Sequence, residues 1–296
     1  MKKEFVLLML LLLLASCGIS SGSASQLPQR SGSAIHPGYW IISRNAINLL
    51  EQNGAPESFL ATLFNNSHSY ILIGLRQTDP FPLSIPVVSF TSYSDVAASH
   101  VIGMASAFSR NLLPKGTRAI AYDDENWRFT ATSEIAHPLS STQEASQLAH
   151  LHGLQFISLP GMDLGTSATG KLQPLPLSYY SFEKDGYLSV AQSADLFELQ
   201  LENTETHANY VTLAQQARNR VKAINPKVVF LLQLTSNPNS QPVTAQDLLK
   251  DYRATRGFVD GYALTIPNSA AICPSCGTPN VGTMLTFLQA VEKERS

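Results

Sequence analysis

The sequence predicts an α/β fold of the (β/α)8 TIM-barrel type in a single domain, with irregularity in its first third. Three observations carry this expectation. From Tyr39 onward short β-rich apolar runs alternate with longer amphipathic segments, the pattern of parallel strands joined by crossover helices. Eight such runs fall in roughly 260 residues, close to the ~250 of a typical barrel of this kind. No shift in composition marks an internal boundary, and no G-x-G-x-x-G or P-loop follows the first strand. The competing architecture, an open doubly wound sheet, therefore has no nucleotide-binding signature behind it.

The first strand is expected at Tyr39–Ser43, followed by helical patterns at Ala46–Glu51 and Glu57–Phe64. The second and third, Tyr70–Leu75 and Val87–Thr91, are joined by the Pro-rich stretch Arg76–Pro86, which carries no helical period. This is the irregular part. A helix over Ser94–Leu113 is expected next, with Ser94-Asp95 capping its start. The fourth strand, Arg118–Asp123, leads to a helix over Thr142–His152, started by Thr142 and closed by Gly153 as the C′ glycine. After the fifth strand, Gln155–Leu159, comes an aperiodic excursion at Gly161–Ala191. The sixth, Leu196–Leu201, precedes a long helix over His207–Ile224 that Asn225-Pro226 stops. The seventh and eighth, Val228–Leu234 and Val259–Ile266, flank a helix at Thr244–Thr255, and Gly282–Glu294 forms the last helix.

Composition limits the function. The 296 residues are 44% hydrophobic and 14% charged, enough apolar material to offset the entropy of ordering. With 20 Lys+Arg against 22 Asp+Glu, there is no basic excess to displace counterions from a phosphate backbone, so no nucleic-acid partner is expected. No cofactor motif is present, and none is expected.

Residues 1–16 read as a signal peptide. Lys2 and Lys3 form a positive start, and Phe5–Leu14 is an apolar run of ten residues, half of what a membrane-spanning helix needs at ~1.5 Å per residue. The run ends in Leu14-Ala15-Ser16-Cys17, which resembles the lipobox of bacterial lipoproteins. That resemblance implies lipidation of Cys17, export, and attachment to the outer side of a membrane. Residues 17–38 are Ser/Gly-rich and aperiodic, a tether to the domain at 39–296. The other cysteines, Cys273 and Cys276, stand in a Pro/Gly loop. In an exported protein such a pair most simply forms a local disulfide. Zinc would need two further ligands, and there is no second CxxC and no HxxxH, so no metal is expected.

Barrel enzymes build their sites at the carboxyl ends of the strands. There the fourth strand passes abruptly from apolar residues into Asp123, Asp124 and Glu125, with Trp127 following. Adjacent acids repel one another's charge, which suits acid/base chemistry where they are partly buried. In the sixth strand the period of two places Phe197, Leu199 and Leu201 on one face and Glu198, Gln200 and Glu202 on the other. The apolar set should meet the outer helices and the polar set the lumen. Glu198 lies ~13 Å deeper than Glu202, at ~3.3 Å per residue, so the two cannot share one reaction centre. Gln233 and Thr235 repeat this parity on the seventh strand, whereas Asp260 and the helix-end histidines His150 and His152 read as structural.

The run Tyr122–Thr130, with Glu134, His137-Pro138, Ala149-His150, Asp195–Asn203 and Val259–Tyr262, resembles a group of uncharacterised secreted bacterial proteins. An acidic strand end beside an aromatic is also similar to TIM-barrel glycoside hydrolases, although the chitinase-like D-x-x-D-x-D-x-E string is absent. The second resemblance implies a hydrolase acting on an extracellular or cell-wall glycan. Glu125 would be its general acid and Glu202 its nucleophile or base, with Asp123, Asp124, Trp127, Glu198, Gln200 and Gln233 holding the substrate. The alternative is a non-catalytic lipoprotein that binds a saccharide or small ligand in the same mouth. A metal-dependent hydrolase using Asp123, Asp124 and Glu198 is disfavoured by the shortage of well-placed histidines.

Overall fold

Every apolar run expected to be a strand is one, with bounds within two residues of the sequence reading. The strands are β1 (Tyr39–Ser43), β2 (Ser69–Ile73), β3 (Ile85–Phe90), β4 (Ala119–Tyr122), β5 (Gln155–Ser158), β6 (Leu196–Leu199), β7 (Val229–Thr235) and β8 (Gly261–Thr265). They pair in parallel and in chain order, and the sheet closes by pairing β1 with β8, Ile41 opposite Ala263. The fold is thus the (β/α)8 barrel. The computed structural model describes residues 38–161, 164, 187–201, 204–237, 243–267 and 279–295, all within the unit Ile35–Ser296. The expected signal peptide, Cys17, nearly all of the tether, Glu202, most of the excursion at Gly161–Ala191, and the pair Cys273 and Cys276 lie outside the described residues.

The helices are α1 (Arg44–Gln52), α2 (Glu57–Phe64), α3 (Met104–Ser109), α4 (Thr132–Ala136), α5 (Pro138–Leu151), α6 (Tyr210–Ile224), α7 (Ala245–Thr255) and α8 (Val281–Arg295). Their starts follow local chemistry. Ser43 Oγ accepts from Ala46 N at 3.0 Å to cap α1. Thr244 and Asp247 form a reciprocal capping box on α7, and the Thr244 hydroxyl holds the Asp247 carboxyl below its usual range. The expected loop Arg76–Pro86 joins β2 to β3 without a helix, except that its last two residues, Ile85 and Pro86, already belong to β3. Gly153 follows α5 with φ +70°, the left-handed value of a C′ glycine.

The sequence reading has no counterpart of α4, α6 starts three residues after the expected His207, and two further helix starts differ more. No single helix runs from Ser94 to Leu113. The chain makes a 3-10 turn at Ala97–Ser99, folds back through a Val96–Val101 bridge with His100 at φ 56°, and only then enters α3. Asp95 still caps, but from outside the helix: its carboxylate accepts from Gly103 N at 2.7 Å and Ser106 Oγ at 2.8 Å, eight and eleven residues on. Gly103 makes the fold-back possible, because a Cβ there would overlap the backbone of Ser94. The second difference is α5, which begins at Pro138 and not at Thr142. Proline at the first helical position has its φ preset and its missing N–H falls where no partner is needed.

Strand alternation divides the interior in two. Trp40, Ile42, Phe156, Phe197, Leu199, Phe230, Leu232 and Tyr262 face outward and pack against the helices. Ile41, Tyr70, Val87, Ala119, Ala121, Ile157, Leu196, Leu231 and Ala263 fill the lumen. The lumen is crowded where the sheet closes: a Cβ on Gly261 would overlap the Tyr39 carbonyl. At the amino ends of the strands two aspartates act as latches. Asp195 Oδ2 accepts from Phe156 N at 2.8 Å and lies 2.9 Å from His150 Nε2 on α5. Asp260 Oδ2 accepts from Phe230 N at 2.8 Å and pairs with Lys222 Nζ on α6 at 2.7 Å. Asp260 and His150 are therefore structural, as their positions in the sequence indicated.

Candidate functional site at the carboxyl mouth of the barrel

The lumen changes from apolar to polar toward the carboxyl ends of the strands. On β4 the inward positions Ala119 and Ala121 lead to Asp123. On β6 Leu196 leads to Glu198 and Gln200, and on β7 Leu231 leads to Gln233 and Thr235. Glu198, Gln200 and Gln233 are 4%, 7% and 4% exposed, so these polar groups belong to the interior and their orientation is set by hydrogen bonds. Gln200 Nε2 donates to the Leu159 carbonyl at 3.0 Å and to Asp123 Oδ1 at 3.2 Å. One amide thereby joins the ends of β4, β5 and β6. Gln233 Nε2 donates to Thr265 Oγ1 at 3.2 Å, which extends the polar floor to β8.

The predicted site residues separate into three groups. Asp123, Glu198, Gln200 and Gln233 share the lumen side, with Asp123 and Gln200 in direct contact. Glu125 and Trp127 are half-buried in the segment after β4, where Trp127 N donates to the Glu125 carbonyl at 2.9 Å and the indole meets Phe129 edge-on at 4.9 Å. Asp124 is 1% exposed and follows the parity of Tyr122, facing away from the lumen. Burial first, and then the charges of Asp124 and Glu134, push the Tyr122 phenol far above its usual range and keep it a hydrogen-bond donor.

Two buried carboxylates hold the mouth in shape, and the sequence assigns neither a role. Glu134 on α4 accepts four hydrogen bonds. Ser92 Oγ at 2.8 Å and Ser94 N at 2.9 Å reach Oε1, while Tyr93 N and Tyr122 OH reach Oε2, both at 2.6 Å. It fixes the loop after β3 to the last residue of β4, next to Asp123. Thr91 and Thr130 reinforce this seam: Thr130 Oγ1 donates to the Thr91 carbonyl at 2.9 Å, and Thr91 Oγ1 to that of Phe129 at 3.1 Å. Glu205, 2% exposed in the loop after β6, accepts from Thr235 N at 3.0 Å and so ties that loop to β7. A lone acid in a five-residue helix resembles an exposed cap in sequence. Its place in the connection that follows β4 was the signal the sequence offered for Glu134.

The mouth thus offers carboxylates on two strand ends, beside amides that each present a donor and an acceptor. Such a set can bind hydroxyl groups and transfer protons. Among the described residues no group of three or more His, Cys, Asp or Glu side chains converges to hold a metal ion.

No protein-family model matches this chain, and no curated protein matches it. Solved structures similar to it include a GH128 (subgroup VII) oligosaccharide-binding protein from Cryptococcus neoformans, at TM-score 0.48 and 13% identity over 90% of this chain and 99% of that one. A Schiff-base-forming fructose-1,6-bisphosphate aldolase has TM-score 0.47 and 12% identity over 87% of this chain and 94% of the other. The triosephosphate isomerase of Bartonella henselae has TM-score 0.44 and 12% identity, covering 88% of this chain and all of its own, 100%.

Proposed function

We propose that this barrel is a glycoside-hydrolase-like enzyme whose carboxyl mouth takes a glycan. The observation that supports the reading is the Gln200 bridge, which ties Asp123 at the end of β4 to the end of β6 on the lumen side. Glu125 is the general acid and Glu202 the nucleophile or base, with Asp123, Gln200 and Gln233 orienting sugar hydroxyls and Trp127 offering an aromatic edge. Glu198, deeper in the lumen, sets the field at the floor of the site. The protein acts outside the cytoplasm, held to a membrane through lipidated Cys17.

Purified protein should hydrolyse at least one member of a panel of cell-wall and storage glycans. Glu125→Gln and Glu202→Gln should each reduce turnover by about 10²-fold or more, while the fold measured by circular dichroism is kept. Full activity in both variants would remove the assignment. If a glycan raises the melting temperature and no product forms, the mouth is a binding site, the reading that the hydrogen-bonded Asp123–Gln200 pair favours. The anchor has its own test: Cys17→Ala should move the protein from the membrane fraction to the soluble one.

A further inference from the structure

The opposite end of the barrel carries a cavity of about 600 Å³ between α5, the 3-10 segment Tyr187–Ser193, the loop before β7, and the amino ends of the strands. Its walls are polar. Gln143 and Gln147 lie one turn apart on α5 and line this space together with Gln192. Among the described residues these three amides have no hydrogen-bond partner, which leaves them to water or to a bound molecule.

The floor is aromatic. Half-buried Tyr39 offers its ring there and is backed by Tyr70, which is 2% exposed; the two rings are aligned at 25° with centroids 6.4 Å apart, and Tyr70 OH donates to Gln155 Oε1 at 3.2 Å. Burial pushes that phenol up to about 12, so it stays a neutral donor. Charge in the lining nearly cancels: Lys227 is opposed by Asp195, which is already paired with His150. A strongly anionic or cationic ligand therefore gains little here. Amides with both donor and acceptor ends, beside an aromatic floor and little net charge, are the chemistry that recognises hydroxyl groups and the C–H faces of a sugar ring.

Two other readings of the same residues fail. Ser146, His150 and Asp195 lie in a row, but Ser146 Oγ donates to the Ser193 carbonyl at 2.6 Å and is 3.5 Å from His150 Nδ1. Its proton points away from the imidazole, so no base can activate it. Nor is the cavity a by-product of the Asp195 latch, since the matching Asp260 latch is formed with Lys222 and needs no surrounding amides.

We infer that this amino-end cavity is a second binding site, for a neutral, hydroxyl-rich small molecule of mono- or disaccharide size. The inference does not depend on catalysis at the carboxyl mouth. The full chain should bind maltose or cellobiose in isothermal titration with a Kd in the millimolar range. The double variant Gln147→Ala/Gln192→Ala, made at two exposed positions, should weaken binding about tenfold or more. Both titrations are made in the Asp123→Asn background, which removes the carboxyl mouth as a sugar site, and the Kd that remains there should lie within about twofold of the cavity's own and be weakened only by the two glutamine substitutions. Binding that is unchanged in the double variant, or lost in Asp123→Asn alone, would overturn the second site, as would no heat from either sugar at about 10 mM. Turnover at the carboxyl mouth is measured separately, so each reading can fail without the other.

Discussion

Glu134→Ala is expected to lower the unfolding free energy by about 3 to 5 kcal/mol, or the melting temperature by about 10 °C for a domain of this size. The side chain is 4% exposed and its two oxygens accept four hydrogen bonds. Removing it takes the acceptor from the buried hydroxyls of Ser92 and Tyr122 and from the part-buried N–H groups of Tyr93 and Ser94, and a buried donor without a partner costs about 1 to 3 kcal/mol. Glutamine does not rescue the site. Each carboxylate oxygen faces one backbone N–H, Ser94 on Oε1 and Tyr93 on Oε2, so either amide orientation sets an NH₂ group against a donor. Glu134→Gln should therefore lie close to Glu134→Ala in chemical denaturation. Tyr122→Phe, which removes one donor of the four, should cost only about 1 kcal/mol. A glutamine variant as stable as the parent would show that the carboxylate's charge and its double acceptor role are not what hold the two loops.

The second large effect concerns pH. Asp251, 2% exposed on α7, is pushed up to about 7 by burial, against which the Lys250 charge works only in part. In the unfolded chain the same carboxyl ionises near 4. Between these values the folded protein holds a proton that the unfolded chain has released. This group's contribution therefore falls as pH rises from about 4 to about 7 and is flat above that. The full span is about 4 kcal/mol as an upper bound, at ~1.4 kcal/mol per pH unit. Asp251→Asn removes the titration. It should raise the stability by about 2 to 4 kcal/mol at pH 8, by about 1 kcal/mol at pH 5 and hardly at all near pH 3.5, and flatten the slope between. Urea melts at several pH values read this directly, and an unchanged slope would exclude Asp251 as its source.

The fold was legible in the sequence to a degree that the site was not. Strand runs such as Val229–Leu232, the first part of β7, carry their own signal, because a strand buried on both faces reads as a continuous apolar stretch whatever packs against it. The parity of β6 was equally legible: Glu198 and Gln200 fall opposite Phe197 and Leu199 through the alternation of the backbone alone. The helix expected over Ser94–Leu113 failed for a reason no local pattern contains. Asp95 caps α3 across an eight-residue fold-back that depends on the contact of Gly103 with Ser94.

By itself, then, the sequence determined the barrel, its strand order of inward and outward faces, and which strand ends carry acids, because these follow from short-range periodicity and from closing eight parallel strands. Only the tertiary structure decided which acids do which work. Asp123 meets Gln200 across 77 positions of chain and Glu134 meets Ser92 across 42. Asp124, beside Asp123 in sequence, is turned away into the protein. A carboxylate's role depends on the donors and the dielectric around it, and those are supplied by residues that only folding brings near.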